Sequence, residues 1–128
     1  MRLLLDTHIL LWALIEPDRL SDEVRTRLED RGNVVLFSAA SIWETSIKAA
    51  LGRADFKVAP SEIVVAALEA GFEELPVRSA AALVVATLPH HHRDPFDRLL
   101  VAQAITEPAR LYTADAALAP YSELVVQV

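Results

Sequence analysis

Short, mostly apolar runs that alternate with helical segments place the strongest constraint on the fold of this 128-residue chain. Leu3 to Leu5, Val34 to Phe37 and Leu111 to Thr113 have the length of strands and lack a regular polar face. Strands that are apolar on both faces are typical of parallel sheets that helices cover on both sides. We therefore predict an α/β fold with a mainly parallel sheet, whose functional crevice lies beyond the carboxyl ends of the strands.

Prolines, glycines and capping side chains give the bounds of the predicted helices. Pro17 stops the first helix and Gly71 ends a later one, because proline breaks a helix and glycine commonly follows its last residue. No repeat or linker divides the chain, which predicts a single domain over residues 1–128. The predicted helices are Thr7 to Ile15, a segment between Ser21 and Gly32, a helix capped by Ser38 or Ser41 that runs to Leu51, Ser61 to Ala70, Ser79 to Leu88 and Phe96 to Thr106. A loop is predicted from Gly52 to Pro60, and further strands within Phe72 to Val77 and at Leu124 to Val126.

The composition excludes several classes of site. The chain has no cysteine, so disulfides, thiolate metal sites and cysteine nucleophiles are excluded. Its apolar stretches, such as Ile9 to Ile15, fall short of the roughly 20 residues that span a bilayer. Because the start of the chain also lacks a signal-peptide pattern, we expect a cytoplasmic protein without a membrane segment. The same stretch is apolar all round and predicts burial on more than one side, which leads us to expect a homodimer.

Four acidic residues lie where a parallel sheet would bring them to one edge. Asp6 and Asp115 come directly after strand-like runs. Glu44 lies inside a predicted helix, and Asp97 begins another. Each also has an ordinary structural role: Asp6 and Asp115 suit helix N-caps, Asp97 suits a helix start, and Glu44 can pair with Lys48 one turn later.

Taken together, half-buried carboxylates repel one another and tend to take up protons, and a divalent cation removes that conflict. Mg²⁺ and Mn²⁺ prefer oxygen ligands from carboxylates and water. The net charge of −6 argues against a general nucleic-acid binder, but carboxylates that hold a cation account for part of that charge. Four basic residues near the acidic segments are candidates for phosphate contacts: Lys48, Arg53, Arg93 and Arg98.

Four segments of the chain resemble the PIN-domain ribonucleases. The most specific is Arg93 to Ala104, whose Asp94-Pro95-Phe96-Asp97-Arg98 element is similar to the third motif of VapC-like toxins. The resemblance covers essentially the whole chain and implies a three-layer α/β/α sandwich with a central parallel sheet. It also implies a metal-dependent endoribonuclease that a small antitoxin protein neutralises. The other matching segments are Leu3 to His8, Ser38 to Glu44 and Leu111 to Asp115.

The resemblance assigns the acidic residues to a metal site. Asp6, Glu44, Asp97 and Asp115 match the acidic quartet of the family, which implies that they bind Mg²⁺ or Mn²⁺ and act in catalysis. Asp94 is an additional acid in this motif. We expect Asp97, rather than Asp94, to lie closer to the metal.

Neighbouring positions are expected to support the reaction. Thr7 and Thr113 match hydroxyl positions that can orient a carboxylate or a water, and Lys48 and Arg98 are the predicted substrate-binding residues. A metal-activated water would attack the phosphorus, and the resemblance implies products with 5′-phosphate and 3′-hydroxyl ends. Single-stranded or loop RNA is the expected substrate, because unstacked bases are the most accessible.

Several other residues are interpreted as structural. Consecutive histidines in a loop point in different directions, so His90 to His92 are interpreted as a solvated loop rather than as a metal site. His8 is interpreted as a packing residue near the first helix. Trp12 and Trp43 are interpreted as core anchors, because nothing pairs them with basic residues as an RNA-stacking surface would require.

Two other classes of function are considered: a Mg²⁺-dependent phosphotransfer protein and a non-catalytic binding module. A receiver-type phosphotransfer domain uses Mg²⁺ but requires an acidic pair after its first strand, whereas Asp6 is followed by Thr7. A phosphatase of the haloacid dehalogenase type requires a second aspartate where this chain has His8. A non-catalytic binding module on the same fold is compatible with the sequence, although loss of one of the acids would be its expected sign.

Overall fold

Short strands alternate with α-helices along the chain, as the apolar runs predicted. The computed structural model describes residues 1–52 and 58–128; Arg53 and most of the loop predicted from Gly52 to Pro60 lie outside the described residues. The strands are β1 (Arg2–Leu5), β2 (Val34–Ser38), β3 (Glu73–Leu75), β4 (Arg110–Thr113) and β5 (Val125–Gln127). The helices are α1 (Thr7–Ile15), α2 (Asp22–Glu29), α3 (Ala39–Ala50), α4 (Pro60–Glu69), α5 (Ser79–Val85) and α6 (Pro95–Thr106), with 3-10 turns at Pro17–Arg19 and Ala116–Tyr121.

The five described strands form one parallel sheet in the order β3-β2-β1-β4-β5. The central strand β1 pairs with β2 through Leu5 and Phe37 and with β4 through Leu5 and Tyr112. The chain moves outward from β1 through β2 to β3 and then crosses to β4 on the other side of β1. Such a reversal opens a crevice beyond the carboxyl ends of the two strands between which it occurs, here β1 and β4. Asp6 directly follows β1 and lies at this crevice.

Two hydrophobic cores lie on opposite faces of the sheet, because successive side chains of a strand point to opposite faces. Leu3 and Leu5 pack with Ile9 of α1 and Ile63 of α4 in one core. Leu4 packs with residues of α5 and α6 in the other core. Each fully buried leucine contributes roughly 1.5–3 kcal/mol of burial free energy. The three-layer α/β/α architecture is confirmed.

Helix α3 joins the two helical layers, since it packs against α1 and α4 on one side and α6 on the other. Its buried residues are mostly polar and recur at helical spacing: Ala40, Ser41, Glu44 and Thr45. A side of α3 that carries a carboxylate therefore faces the interior, next to the carboxyl edge of the sheet.

Helix α1 is less buried than its composition predicted. Ile9 and Leu10 are in the core, whereas Trp12 is half-buried and Ile15 is exposed. The guanidinium of Arg19 lies 5.3 Å from the centroid of the Trp12 ring, so a cation–π contact covers part of the indole. The homodimer remains a prediction. Among the described residues, no helix combines the length and the apolar character needed to cross a bilayer.

Candidate active site

Asp6 links the central strand to α1 and to β4. One carboxylate oxygen, Oδ1, accepts a hydrogen bond from the backbone N–H of Ile9 at 2.9 Å, which caps α1. The other, Oδ2, accepts from the hydroxyl of Thr113 at 2.5 Å, at the end of β4. Burial raises the pKa of Asp6, and these two donors oppose the increase. The capping role predicted for Asp6 and its place in the acidic site are therefore compatible.

Glu44 approaches Asp6 from α3 and is buried. The hydroxyl of Thr7 donates to Glu44 Oε1 at 2.8 Å and lies 3.0 Å from the hydroxyl of Ser41. The ammonium of Lys48 forms an ion pair with Glu44 Oε2 at 2.8 Å, one helical turn further on. These contacts fix the start of α1 against α3 and hold both oxygens of Glu44.

Asp94 and Asp97 have different roles at the start of α6. Asp94 is the N-cap, since its Oδ1 accepts from the backbone N–H groups of Phe96 at 2.8 Å and Asp97 at 3.3 Å. Asp97 lies in the first helical turn, with its carboxylate near the other acids. Burial raises the pKa of Asp97 to about 7, with further increases from the charges of Asp94, Asp6 and Glu44, against an opposing effect of His92. That Asp97, rather than Asp94, lies closer to the metal remains a prediction.

Asp115 lies beyond β4 and caps the following 3-10 turn through Oδ1, which accepts from the Ala117 N–H at 2.9 Å. The hydrogen bond from Ala117 and that of His92 lower its pKa. Its Oδ2 is 2.8 Å from His92 Nε2, which is also 3.4 Å from Asp97 Oδ2. His92 Nδ1 accepts the backbone N–H of Asp94 at 3.0 Å, so a neutral ring carries its proton on Nε2 and donates it to Asp115.

His92 is a site residue that the sequence interpretation missed. The solvated-loop interpretation holds for His90 and His91, which are exposed, but it is wrong for His92. Consecutive side chains do point in different directions, and for that reason one of the three can reach the site while the others do not. One feature of the sequence could have indicated this role: His92 lies two residues before Asp94, which caps the helix that begins with Pro95.

Arg98 does not face the site. Its Nη1 donates to the carbonyl of Pro89 at 2.8 Å and to the Tyr121 hydroxyl at 3.0 Å. Its Nη2 donates to the carbonyls of Val85 at 3.0 Å and Leu88 at 3.3 Å. The buried guanidinium thus joins the end of α5 and the following loop to α6. The prediction that Arg98 binds substrate is wrong, because four acceptors inside the protein engage its nitrogens.

Trp43 is not a core anchor, so the interpretation of Trp43 as a core residue is wrong. Its side chain is 60 % exposed, and its ring meets Phe96 edge-on with the centroids 5.2 Å apart. Beside these rings lies a cleft of about 360 Å³. The residues that line this cleft are Glu44, Ile47, Lys48, Arg93, Asp94, Pro95 and Phe96.

The side chains at this edge of the sheet fit a divalent cation. Carboxylate oxygens of Asp97 and Asp115 lie within 4.8 Å of each other and of a His92 ring nitrogen, so the two carboxylates could hold one cation with His92 beside it. Burial and, after it, the negative charges of Asp94, Asp6 and Glu44 raise the pKa of Asp97, and a bound cation would offset both effects. Carboxylate oxygens are the ligands that Mg²⁺ and Mn²⁺ prefer.

Comparisons with known proteins agree with the fold. The PIN domain family model matches residues 3–124. VapBC2 from Rickettsia felis, in a crystal structure bound to a DNA fragment from their promoter, has a chain that superposes with a TM-score of 0.73 at 16% identity, covering 100% of this chain and 98% of that one. FitAcB from Neisseria gonorrhoeae gives a TM-score of 0.59 at 20% identity, covering 98% and 96% of the two chains. No curated protein matches the chain in sequence.

Proposed function

This chain belongs to the PIN domain family, and from that membership we propose that it is a metal-dependent endoribonuclease, the toxin of a toxin–antitoxin pair. The observation that carries the proposal is the meeting of Asp6, Glu44, Asp97 and Asp115 at one edge of the sheet. The charges of Asp6 and Glu44 both act on Asp97, and Asp97 and Asp115 share His92 as a neighbour.

Asp6, Asp97 and Asp115 would hold one or two Mg²⁺ or Mn²⁺ ions, with Glu44 beside them. A bound divalent cation lowers the pKa of a coordinated water and polarises a phosphate oxygen. The protein contributes orientation: Thr113 fixes one oxygen of Asp6 and Thr7 fixes one oxygen of Glu44.

Lys48 and His92 hold the outer sides of the site. Lys48 neutralises Glu44 and lines the cleft, where its ammonium can also meet a phosphate of the substrate. His92 donates to Asp115 and is itself held by the backbone of Asp94. This arrangement resembles the hydrogen-bonding partners that orient metal ligands in other proteins.

The proposed substrate and the proposed partner protein both contact the acidic site. RNA is the proposed substrate, and the likeness of the fold to VapBC2 and FitAcB supports the toxin role. An antitoxin would cover an apolar surface with a helix and place an arginine or lysine against the carboxylates. Exposed apolar side chains on α3 and α4 offer such a surface, including Ile47, Val65 and Leu68. We also propose a cytoplasmic location and a homodimer.

Cleavage of a mixed RNA pool tests the activity. Wild type with Mn²⁺ or Mg²⁺ is compared with wild type plus EDTA and with Asp6→Asn. Asp18→Asn is the matched control, because the Asp18 carboxylate is fully exposed and pairs only with Arg25 among the described residues. We expect cleavage by wild type and Asp18→Asn only. Cleavage that survives EDTA or Asp6→Asn would contradict the proposal, and absence of both cleavage and metal binding would favour a non-catalytic binding module.

A further inference from the structure

Trp43 and Phe96, here called the aromatic pair, combine an exposed indole with a half-buried phenyl ring near the acidic site. Their centroids are 5.2 Å apart at an interplanar angle of 72°. Neither ring belongs to the two hydrophobic cores. The exposed indole therefore does little for folding, and a large exposed apolar side chain of this kind commonly marks a contact surface.

The cleft brings one ring of the aromatic pair close to the acidic site. Phe96 and Glu44 both line it, and Trp43 adjoins it through its contact with Phe96. Two basic residues, Lys48 and Arg93, line the same space. Within residues 1–52 and 58–128, Arg93 is exposed and makes no ion pair or side-chain hydrogen bond, so its guanidinium is available to a ligand. Phe96, two basic groups and Glu44 thus share one cleft, with Trp43 against Phe96 beside it.

We propose that the aromatic pair stacks an unpaired base of the RNA substrate beside the scissile phosphate, while Lys48 and Arg93 contact the neighbouring phosphates. This inference rests on the proposed ribonuclease function and adds the way the substrate is held. An aromatic face accepts any base, because every base has a π-face, and it excludes paired bases that stay stacked in a duplex. The surface therefore selects single-stranded RNA with little preference for sequence at this one position.

The observations favour a nucleic acid over a protein at this surface. In a chain with a net charge of −6, two basic groups line a cleft that Glu44 of the acidic site also lines. A phosphate held at that site would bring the adjoining nucleotide into the cleft. Base stacking next to backbone-binding cations is the usual arrangement for single strands.

Binding measurements in a non-cleaving background test the proposal. Asp97→Asn serves as the parent, and its affinity for a fluorescein-labelled single-stranded RNA 12-mer is measured by anisotropy with Mn²⁺. The matching 12-mer of abasic ribose phosphates is the second probe. Adding Trp43→Ala should weaken RNA binding by about 5-fold to 150-fold, the range for one stacked base, and leave abasic binding unchanged. Trp43→Phe should retain most of the affinity.

Leu83→Ala is the matched control, because Leu83 is 72 % exposed on α5, outside the cleft, and its loss should leave both affinities unchanged. Equal RNA binding with and without Trp43 would overturn the proposal and assign the aromatic pair to a protein partner. An equal loss for RNA and the abasic 12-mer would also overturn it, since stacking requires the base.

Cleavage assays in protein that keeps Asp97 distinguish the ribonuclease proposal from the base-stacking proposal. If wild type cleaves RNA and Trp43→Ala cleaves with the same kcat/KM, the ribonuclease function stands and base stacking fails. If wild type shows no metal-dependent cleavage of any RNA, the ribonuclease function itself fails, whatever the binding data show.

Discussion

Each carboxylate oxygen of Asp6 and Glu44 accepts a hydrogen bond. Among the described residues, by contrast, the only side chain that could donate to the Asp97 carboxylate is His92, whose Nε2 lies 3.4 Å from Oδ2. We call Asp6, Glu44 and their donors the fixed half of the site, and Asp97 with His92 and Asp115 the charged half. Donors hold the fixed half in place before any cation binds. In the charged half, hydrogen bonds from Ala117 and His92 stabilise the Asp115 carboxylate, whereas the Asp97 carboxylate stays energetically costly until a cation or a proton neutralises it.

Removing a carboxylate from the fixed half should have the largest effect. Asp6→Asn keeps a good helix cap but loses the negative charge, so kcat/KM for RNA cleavage should fall by more than about 100-fold. Steady-state cleavage of an RNA substrate measures this, with thermal unfolding in EDTA to show that the variant is folded. Activity within a factor of ten of wild type would mean that Asp6 is only a cap.

Removing a donor from the fixed half should have a smaller effect. Thr113→Val deletes the hydroxyl that holds Asp6 Oδ2, and Mn²⁺ affinity should fall by about 10-fold to 100-fold, as for other groups that orient metal ligands. Isothermal titration calorimetry measures it. Thr87→Val is the matched control, because among the described residues that exposed hydroxyl donates only to the carbonyl of Val84 near the end of α5. Unchanged Mn²⁺ affinity in Thr113→Val would show that the carboxylate is positioned without this donor.

The charged half should make metal-free stability depend on pH. The pKa of Asp97 is raised from 3.8 to about 7 in the folded protein, so the folded state holds its proton more tightly than the unfolded state. The contribution of Asp97 to the free energy of unfolding should therefore fall as the pH rises from about 4 to about 7. Asp97→Asn should remove this decrease and stabilise the metal-free protein by roughly 1–3 kcal/mol at pH 8.

Urea unfolding in EDTA at pH 5 and pH 8 measures this effect in wild type and Asp97→Asn. The difference between the two proteins isolates Asp97 from the other carboxylates, including Asp6, whose pKa is also raised. Equal pH dependence in the two proteins would contradict the assignment of the excess charge to Asp97.

The smallest expected effect concerns His92. Its removal in His92→Ala leaves the Asp115 cap intact but deletes the donor to Asp115 Oδ2, so Mn²⁺ affinity should fall by about 3-fold to 10-fold. His91→Ala is the control, since that exposed ring stacks on Tyr121 outside the site. Tighter Mn²⁺ binding in His92→Ala would show that His92 competes with the cation for Asp115.

The sequence predicted the parts of the site that follow from strand ends and helix caps. Asp6 and Asp115 follow apolar strands, and parallel pairing alone brings such positions to one edge. The start of α6 was also predictable, because Asp94 followed by proline is a strong cap signal. The parallel sheet and its helical layers were predicted correctly for the same local reasons.

The His92 error lies in a loop, and the other two errors concern side chains whose burial departs from the usual pattern for a helix. Helix α3 buries Ser41, Glu44 and Thr45 and exposes Trp43, so a rule that places tryptophan in the core gives the wrong side. Helix α6 likewise buries Arg98, whose partners are carbonyls from a distant turn. Neither orientation can be read from local composition, because it depends on which polar groups meet across the fold.

The hydrogen bond between Thr113 and Asp6 also bears on the synthesis of the protein, since it joins residues 107 positions apart in the chain. The central strand β1 leaves the ribosome long before β4, which must pair beside it. Domains fold as units, and contacts between distant segments form only after both have emerged. A nascent chain therefore carries its first carboxylate for most of translation without the neighbours that complete the site, and a truncated product that ends before β4 would be inert.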